Sequence, residues 1–340
     1  MSTRTVAQDH CSGRWWLAAV LALASTPSPA ESGTEPADSG APAPVYRPGG
    51  GYRFGDSGLA LGGYATADGE WLEHKNHYSS VAANLFVFYS PVSFARLFAD
   101  LETPTGGFER VHLEASLNDA VNLRVGKLLT PFGRWNVSHI EPLVWTASEP
   151  LLVETVFDDT VSGAMLHGTL FPSGGALSYS VYGSLFEPIN ADSDEAVAER
   201  LAGGHLEWAS LYGWTVGASW VASQLDDGHW NNLAGVDWLW QPNPRFELSG
   251  EILAGRGSRH PDTLSGGYIQ AAIETFPKLH AVFRYEHFAP ENASQTVNLY
   301  DAGLAWVPLS FLRVKLDYLH TDRTVSPAEP GVRASLSFLF

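Results

Sequence analysis

The sequence predicts an all-β fold, a transmembrane antiparallel β-barrel of about sixteen strands. From about Ser57 to Phe340, apolar residues alternate with polar or small ones in segments of roughly ten residues, separated by turns rich in Gly, Pro, Asn or Asp. Such alternation is typical of strands that face lipid on one side and water on the other. The chain also contains 12 Trp, 12 Tyr and 17 Phe, as expected for the aromatic girdles of a membrane barrel.

Residues 1–30 have the organisation of a secretory signal peptide. Arginines precede an apolar run from Trp15 to Ala24, and small residues lead to a cleavage site near Ala30. The run is too short to span a bilayer as a helix, and no other segment has about 20 apolar residues. The sequence therefore excludes a helical membrane protein. Cleavage would remove Cys11, the one cysteine, and with it any thiolate chemistry.

We predict three parts of the chain: the signal peptide at 1–30, a flexible tail rich in Pro, Gly and acids at 31–56, and the barrel at 57–340. An even strand number places both termini on one side of the membrane. At about sixteen strands, the lumen is wide enough for water unless a loop or plug narrows it. The segments begin near residues 58, 80, 93, 108, 121, 161, 176, 203, 213, 232, 246, 267, 279, 297, 312 and 332.

A soluble β-sandwich or periplasmic barrel is the alternative fold, because its strands also alternate. The predicted strands are long and even, and their apolar faces carry bulky aromatics near the ends, which favours the membrane barrel. The aromatics in question are Trp238, Trp240, Trp306 and Tyr318.

The last ten residues, 331–340, form an apolar face that ends in Phe338 and Phe340, opposite Arg333, Ser335 and Ser337. A terminal strand ending in Phe resembles the assembly signal of outer-membrane barrels. The resemblance implies the bacterial outer membrane as the location, its lipid as the surroundings and the barrel-assembly machinery as a partner.

The charge balance argues against a nucleic-acid partner. With 37 acidic and 20 basic residues, the chain has a formal net charge of −17, and it has no run of Lys or Arg. Binding to nucleic acid needs a basic face that offsets the phosphate charge.

The longest interruption of the strand pattern runs from Thr130 to about Thr160. A connection of this length in a compact barrel is usually functional or mobile. Acidic residues within it that could project into the lumen are Glu141, Glu154, Asp158 and Asp159.

The strand before this interruption ends in the sequence VGKLLTPFG, from Val125 to Gly133. This strand end resembles that of porins of the phosphate-selective O and P type and their uncharacterised relatives. The resemblance implies a sixteen-stranded homotrimeric porin whose loop after this strand folds inward and narrows the pore. The chain has just four lysines and no basic ladder, so phosphate selectivity is not carried over. The lysines are Lys75, Lys127, Lys278 and Lys315.

The alternation also places basic residues on the lumen side of the strands. Because the first and last strands of a closed barrel are neighbours, these residues could form one basic wall opposite the acidic interruption, which would orient dipolar solutes. Equally, they could pair with Glu114, Glu102 and Asp317 on neighbouring strands. The candidate pore-lining residues are Arg96, Arg110, Arg124, Arg313, Lys315 and Arg333.

Two catalytic alternatives find little support in the sequence. The segment 55–58, Gly-Asp-Ser-Gly, superficially matches a serine-hydrolase nucleophile, but it lacks the strand–turn–helix setting that exposes the serine and has a common turn composition. His74 and His77 are two potential ligands, whereas zinc needs three or four. We therefore expect no catalytic residue, no metal and no cofactor.

The sequence thus predicts an outer-membrane porin for passive diffusion of small hydrophilic solutes or ions, with no enzymatic activity. The alternatives are a barrel enzyme that hydrolyses lipid or peptide at the rim, and a plugged structural barrel.

Overall fold

The structure is a computed structural model, in which most of the chain from residue 44 onward is described. The predicted signal peptide and most of the predicted tail lie outside the described residues. The described residues are 44–47, 50–73, 77–103, 106–138, 140, 142–156, 160–187, 189, 200–224, 228, 230–257, 263–289, 296–323 and 329–340.

Two three-residue strands, β1 (Val45–Arg47) and β2 (Gly51–Arg53), precede sixteen longer strands. The longer strands are β3 (Leu59–Leu72), β4 (Tyr78–Val92), β5 (Ala95–Thr103), β6 (Phe108–Asn118), β7 (Val121–Leu129), β8 (Thr160–Leu170), β9 (Gly175–Ser184), β10 (Arg200–Ser210), β11 (Trp214–Gln224), β12 (Trp230–Asn243), β13 (Phe246–Gly257), β14 (Thr263–Phe276), β15 (Leu279–Ala289), β16 (Val297–Leu309), β17 (Leu312–Thr321) and β18 (Gly331–Leu339).

The sixteen long strands form a closed antiparallel barrel. Each pairs with the next along the chain, and β18 pairs with β3, with Ser337 opposite Thr66. At the end of this seam, the backbone N–H of Phe340 donates to Gly63 O (2.9 Å), and Gly63 N–H donates to Phe340 O (3.0 Å). The predicted barrel is confirmed.

The predicted and observed first residues of the sixteen strands differ most at β14. Its start was predicted near residue 267, and the strand begins at Thr263.

Successive side chains of each strand point to opposite sides of the barrel wall. On β17, Lys315 and Asp317 are 1% and 3% exposed, whereas Leu316 and Tyr318 are 51% and 42% exposed. Charged side chains are thus enclosed while large apolar ones cover the outside, the reverse of a soluble protein. This distribution does not fit the soluble alternative.

The connections differ at the two ends of the barrel. Turns of two to four residues, such as 119–120 and 171–174, join strands at the end where β3 begins and β18 ends. The longer connections, including 130–159 between β7 and β8, lie at the other end of the strands.

The connection between β7 and β8, residues 130–159, is called the long connection below. It contains two short helices, α1 (Trp135–Ser138) and α2 (Leu151–Val156). Within the described residues, no helix is long and apolar enough to cross a membrane.

β1 and β2 lie within residues 31–56, where the sequence predicted a flexible tail. β1 pairs with β2, and β2 continues onto β3, with Tyr52 opposite Leu61. Gly51 has φ of +70°, and a Cβ atom there would lie 2.0 Å from Leu61 O, so this position requires glycine. Three residues are too few for an alternating pattern, which is why the sequence did not predict these strands.

The closing seam can be tested by cross-linking Thr66→Cys with Ser337→Cys in a Cys11→Ser background. Facing residues of antiparallel strands have Cα atoms about 4.5–5.5 Å apart, within the range for a disulfide. Oxidation should therefore consume both thiols in the folded protein, as measured by thiol titration and by migration on a non-reducing gel.

The control pair is Ala60→Cys with Ser337→Cys. Ala60 lies six residues from Thr66 on β3, about 20 Å along the strand, and should not cross-link. Equal cross-linking of the two pairs would contradict the register of the seam.

Candidate functional site

The strands β13, β15, β16 and β17 carry a concentration of buried charge on their inward side. Alternation puts these residues on that side, because each has apolar neighbours that point outward. Their exposed fractions are 4% for Glu251, 0% for Arg284, 2% for Glu286, 1% for Asp301, 1% for Lys315 and 3% for Asp317. Buried charges persist only when they are paired and hydrogen-bonded.

Arg284 is the centre of this network. Its Nε donates to Glu286 Oε1 (2.7 Å), and its Nη2 lies 3.2 Å from Asp301 Oδ2. Its Nη1 donates to Thr146 Oγ1 (2.6 Å), and its Nη2 donates to Ser148 Oγ (2.6 Å), both in the long connection. One guanidinium therefore joins two strands to a segment more than a hundred residues away in sequence.

Three carboxylates accept backbone N–H groups of the long connection. Asp317 Oδ1 accepts from Ala147 N (2.7 Å), and Glu286 Oε2 accepts from Leu151 N (2.7 Å). Glu251 Oε1 accepts from Arg134 N (3.0 Å) and from Trp135 N, and also from the Tyr268 hydroxyl (2.9 Å). Because the long connection is irregular, these backbone N–H groups have no hydrogen-bond acceptor within regular secondary structure, and the carboxylates supply one.

Two basic residues of β17 bind carbonyl oxygens of the same segment. Arg313 Nη1 donates to Val144 O (2.8 Å), and Lys315 Nζ donates to Thr146 O (3.0 Å). The indole of Trp145 lies 4.4 Å from the Arg313 guanidinium carbon and 4.5 Å from the His280 ring. Cation–π contact adds to the hydrogen bonds at this point.

Apolar side chains of the long connection are buried as well. Leu151 and Leu152 are each 1% exposed and Phe132 is 5% exposed. They belong to one cluster with inward side chains of nine strands: Leu128, Val161, Met165, Tyr182, Leu201, Val221, Leu253, Phe288, Val297, Leu299 and Leu319. Apolar packing and charged hydrogen bonds therefore hold the same segment.

The adjoining wall, formed by β18 and β3 to β7, has ion pairs between its own strands. Arg110 Nη2 lies 2.5 Å from Asp100 Oδ2, and Arg333 Nε lies 3.2 Å from Glu70 Oε1. Arg124 pairs with Glu114 on β6. Asp100 has 0% exposure and also accepts from Asn84 Nδ2 (3.0 Å).

The six predicted basic residues fall into three groups. Arg110, Arg124 and Arg333 form ion pairs, and Glu114 is a partner that the pairing alternative named for this region. Arg313 and Lys315 instead bind the long connection. Arg96 is exposed near the start of β5.

The side chains of the predicted acids of the interruption are outside the described part of the chain. Glu141, Asp158 and Asp159 are not described, and Glu154 lies in α2 with its side chain undescribed. Their place opposite a basic wall stays a prediction.

Sequence reasoning missed Arg284, Glu286 and Asp100. The signal for the first two was present, because Arg284 and Glu286 alternate with Phe283, Tyr285 and His287 along β15. A cation and a carboxylate two residues apart share one face of a strand. The partners in the long connection could not be predicted, because an irregular segment has no periodicity.

The catalytic candidate Ser57 lies in a turn. Its hydroxyl donates to Phe54 O (2.6 Å) and accepts from Leu59 N (3.2 Å). These bonds stabilise the reversal that leads into β3, consistent with the turn composition of this segment.

A second serine, Ser219, lies 2.7 Å from His205 Nδ1, and Asp237 Oδ2 lies 4.0 Å from the same nitrogen. A serine–histidine–acid relay needs the serine and the acid on different ring nitrogens. Ser219 Oγ also accepts from Gly133 N (3.0 Å). The arrangement therefore lacks relay geometry. Among the described residues, no group of three or more His, Cys, Asp or Glu could hold a metal.

Comparison with solved structures finds the same barrel fold at low sequence identity. A Salmonella typhi OmpF structure in complex with daunomycin has a TM-score of 0.64 at 11% identity, covering 87% of this chain and 100% of that chain. An anion-selective porin from Comamonas acidovorans has a TM-score of 0.60 at 11% identity, covering 83% and 99%. The trimer form of in-vitro folded OmpT, an outer-membrane protein of Vibrio cholerae, has a TM-score of 0.57 at 12% identity, covering 83% and 99%.

These likenesses establish a porin-like barrel fold. No protein-family model and no curated protein sequence matches the chain.

Replacement of Arg284 by Met tests the buried network. The change leaves Glu286 and Asp301 buried without their cation and removes the donors to Thr146 and Ser148. Loss of one partner of a buried ion pair costs about 3–5 kcal/mol. We expect a decrease of that size in the free energy of unfolding, measured by denaturant titration in detergent.

Arg245→Met is the matched control, because Arg245 pairs with Glu274 while its side chain is 81% exposed. Exposed pairs contribute at most about 1 kcal/mol. If the two variants are destabilised equally, Arg284 does not hold the long connection.

Proposed function

We propose that this chain is an outer-membrane porin, through which small hydrophilic solutes or ions diffuse passively. One observation carries the proposal: a closed barrel of sixteen long strands encloses its charged residues and exposes its large apolar residues. A wall of this kind suits lipid outside and water inside. Sixteen-stranded barrels are wide enough for an aqueous lumen.

The outer surface supports the membrane setting. Trp230 and Trp240 point outward on β12 and are 39% and 45% exposed. Ten residues separate them, about 34 Å along the strand, which a strand tilt of about 40° reduces to about 26 Å along the barrel axis. This separation matches the height of about 25 Å of the apolar band in outer-membrane barrels.

The long connection is proposed to lie inside the lumen and to set its narrowest cross-section. The support is its hydrogen bonds to Arg284, Glu286 and Asp317, which belong to the inward side of β15 and β17. Apolar packing of Leu151 and Leu152 adds to this support. The open path would then run between the long connection and the wall of β3 to β6.

Export and assembly complete the proposal. We propose that residues 1–30 are removed as a signal peptide, and that β18 with its terminal Phe340 is recognised by the barrel-assembly machinery. A homotrimer in the outer membrane is proposed by analogy with the porin-like fold. No covalent chemistry is assigned, and phosphate selectivity is not proposed.

The direct test is the single-channel conductance of the refolded protein in a planar bilayer. We expect stable, ohmic current steps, because a lumen lined with charges holds water and ions. The reversal potential under a salt gradient will give the ion selectivity. A folded protein without conductance would falsify the diffusion pore and favour a plugged barrel.

A variant in which residues 134–150 are replaced by a short Gly-Ser linker tests the narrowing. Its single-channel conductance should be higher than that of the unmodified chain, because removal of these residues widens the narrowest cross-section of the lumen. The control variant replaces the segment 225–229, between β11 and β12, by the same Gly-Ser linker. Its conductance should equal that of the unmodified chain. Lower or equal conductance in the 134–150 variant would place the narrowing elsewhere.

A further inference from the structure

The wall of β3 to β6 carries a continuous group of rings on its inward side, which we call the aromatic tract. It consists of Tyr64, Phe86, Phe88, Phe98 and His112. Adjacent ring centroids are 5.7 Å apart for Tyr64 and Phe86, 4.8 Å for Phe88 and Phe98, and 5.2 Å for Phe98 and His112. These separations are those of packed aromatic pairs.

The alternation of β4 and β5 fixes the direction of these rings. Phe86 and Phe88 share a face with Asn84, and Phe98 shares a face with Asp100, and both polar residues are buried inside the barrel. Outward positions of β4 instead carry exposed side chains such as Leu85 and Tyr89. The aromatic tract therefore faces the lumen.

Part of the tract is accessible from the lumen. Tyr64 and Phe98 are 7% and 6% exposed, but Phe86 and Phe88 are only half-buried. The hydrogen bonds described for the long connection include bonds to β11, β13, β15, β16 and β17. Apolar rings open to an aqueous path are unusual, and exposed apolar patches commonly mark binding sites.

Hydrogen-bonding groups border the rings, among them one guanidinium and two carboxylates. The Arg110 guanidinium carbon lies 5.6 Å from the Phe86 centroid and 5.2 Å from the Phe98 centroid, while its Nη2 pairs with Asp100. Asn84 Nδ2 donates to Glu109 Oε2 (2.7 Å). Because Arg110 is already paired and two carboxylates adjoin it, this wall does not favour an anion.

From this arrangement we infer that the aromatic tract binds neutral saccharides as they pass through the lumen, an inference that rests on the proposed porin function. A pyranose ring has an apolar face of C–H groups that can stack on Phe86 and Phe88. Its hydroxyl groups can bond to carboxylate, amide and guanidinium groups at the ring edge. The aromatic tract and its polar border therefore complement a pyranose ring, which has a flat apolar face and a neutral edge rich in hydroxyl groups.

The test uses the full-length refolded protein, with maltohexaose as the probe. Isothermal titration calorimetry in detergent measures binding independently of conductance, and interruption of the ion current in a planar bilayer measures it inside the pore. We expect saturable binding and concentration-dependent current blockage. The double variant Phe86→Ala, Phe88→Ala should weaken binding about tenfold or more, because two stacking faces are lost.

Two further variants separate stacking from structural effects. Phe88→Trp retains a ring and should retain binding. Phe283→Ala removes a phenylalanine that is 50% exposed on the outer side of β15, and it should bind as the unmodified protein does. Near-ultraviolet circular dichroism verifies that each variant is folded.

Absence of maltohexaose binding to the unmodified protein overturns the inference, as does unchanged binding in the double variant. Binding of benzoate in place of maltohexaose also overturns it, in favour of aromatic anions. Current steps without sugar binding would leave the porin function intact. Sugar binding without current steps would instead refute the diffusion pore while retaining the saccharide site.

Discussion

Backbone pairing between β18 and β3 closes the sheet, and the placement of the other strands and of their side chains follows from this closure. An open sheet of sixteen strands would expose two rows of unpaired N–H and C=O groups, which lipid cannot satisfy. Pairing from Leu339 opposite Tyr64 to Gly331 opposite Leu72 removes both edges. Once the sheet is closed, alternation assigns every side chain of a strand to the lumen or to the outer surface.

Closure also creates the need for the long connection. Inward positions of β13 to β17 hold Glu251, Glu286, Asp301 and Asp317 with 4% exposure or less, and burial of such charges is unfavourable without partners. The backbone N–H groups of Arg134, Ala147 and Leu151 are the partners of Glu251, Asp317 and Glu286. The Ser148 hydroxyl and Arg284 are the partners of Asp301. On β5 to β7, ion pairs between neighbouring strands provide the partners instead. On the adjoining β4, the rings of Phe86 and Phe88 are only half-buried.

The sequence predicted the barrel well because alternation is a local signal. The predicted start of β6 at residue 108 and of β17 at residue 312 coincide with Phe108 and Leu312. β1 and β2 were missed because three residues carry no period. The site was harder to predict: alternation placed Arg313 and Lys315 on the inner side, but their acceptors Val144 and Thr146 lie in an irregular segment. Contacts of that kind depend on the closed fold and have no local sequence pattern.

Single-channel conductance with the long connection tethered by a disulfide tests directly whether this segment narrows the lumen from inside. Ala147 N lies 2.7 Å from Asp317 Oδ1, so cysteines at 147 and 317 should form a disulfide in a Cys11→Ser background, with each single variant as control. We expect the disulfide to form and the single-channel conductance to be the same before and after its reduction, because the segment already occupies that position. A disulfide that fails to form, or a conductance that rises when the disulfide is reduced, would contradict it.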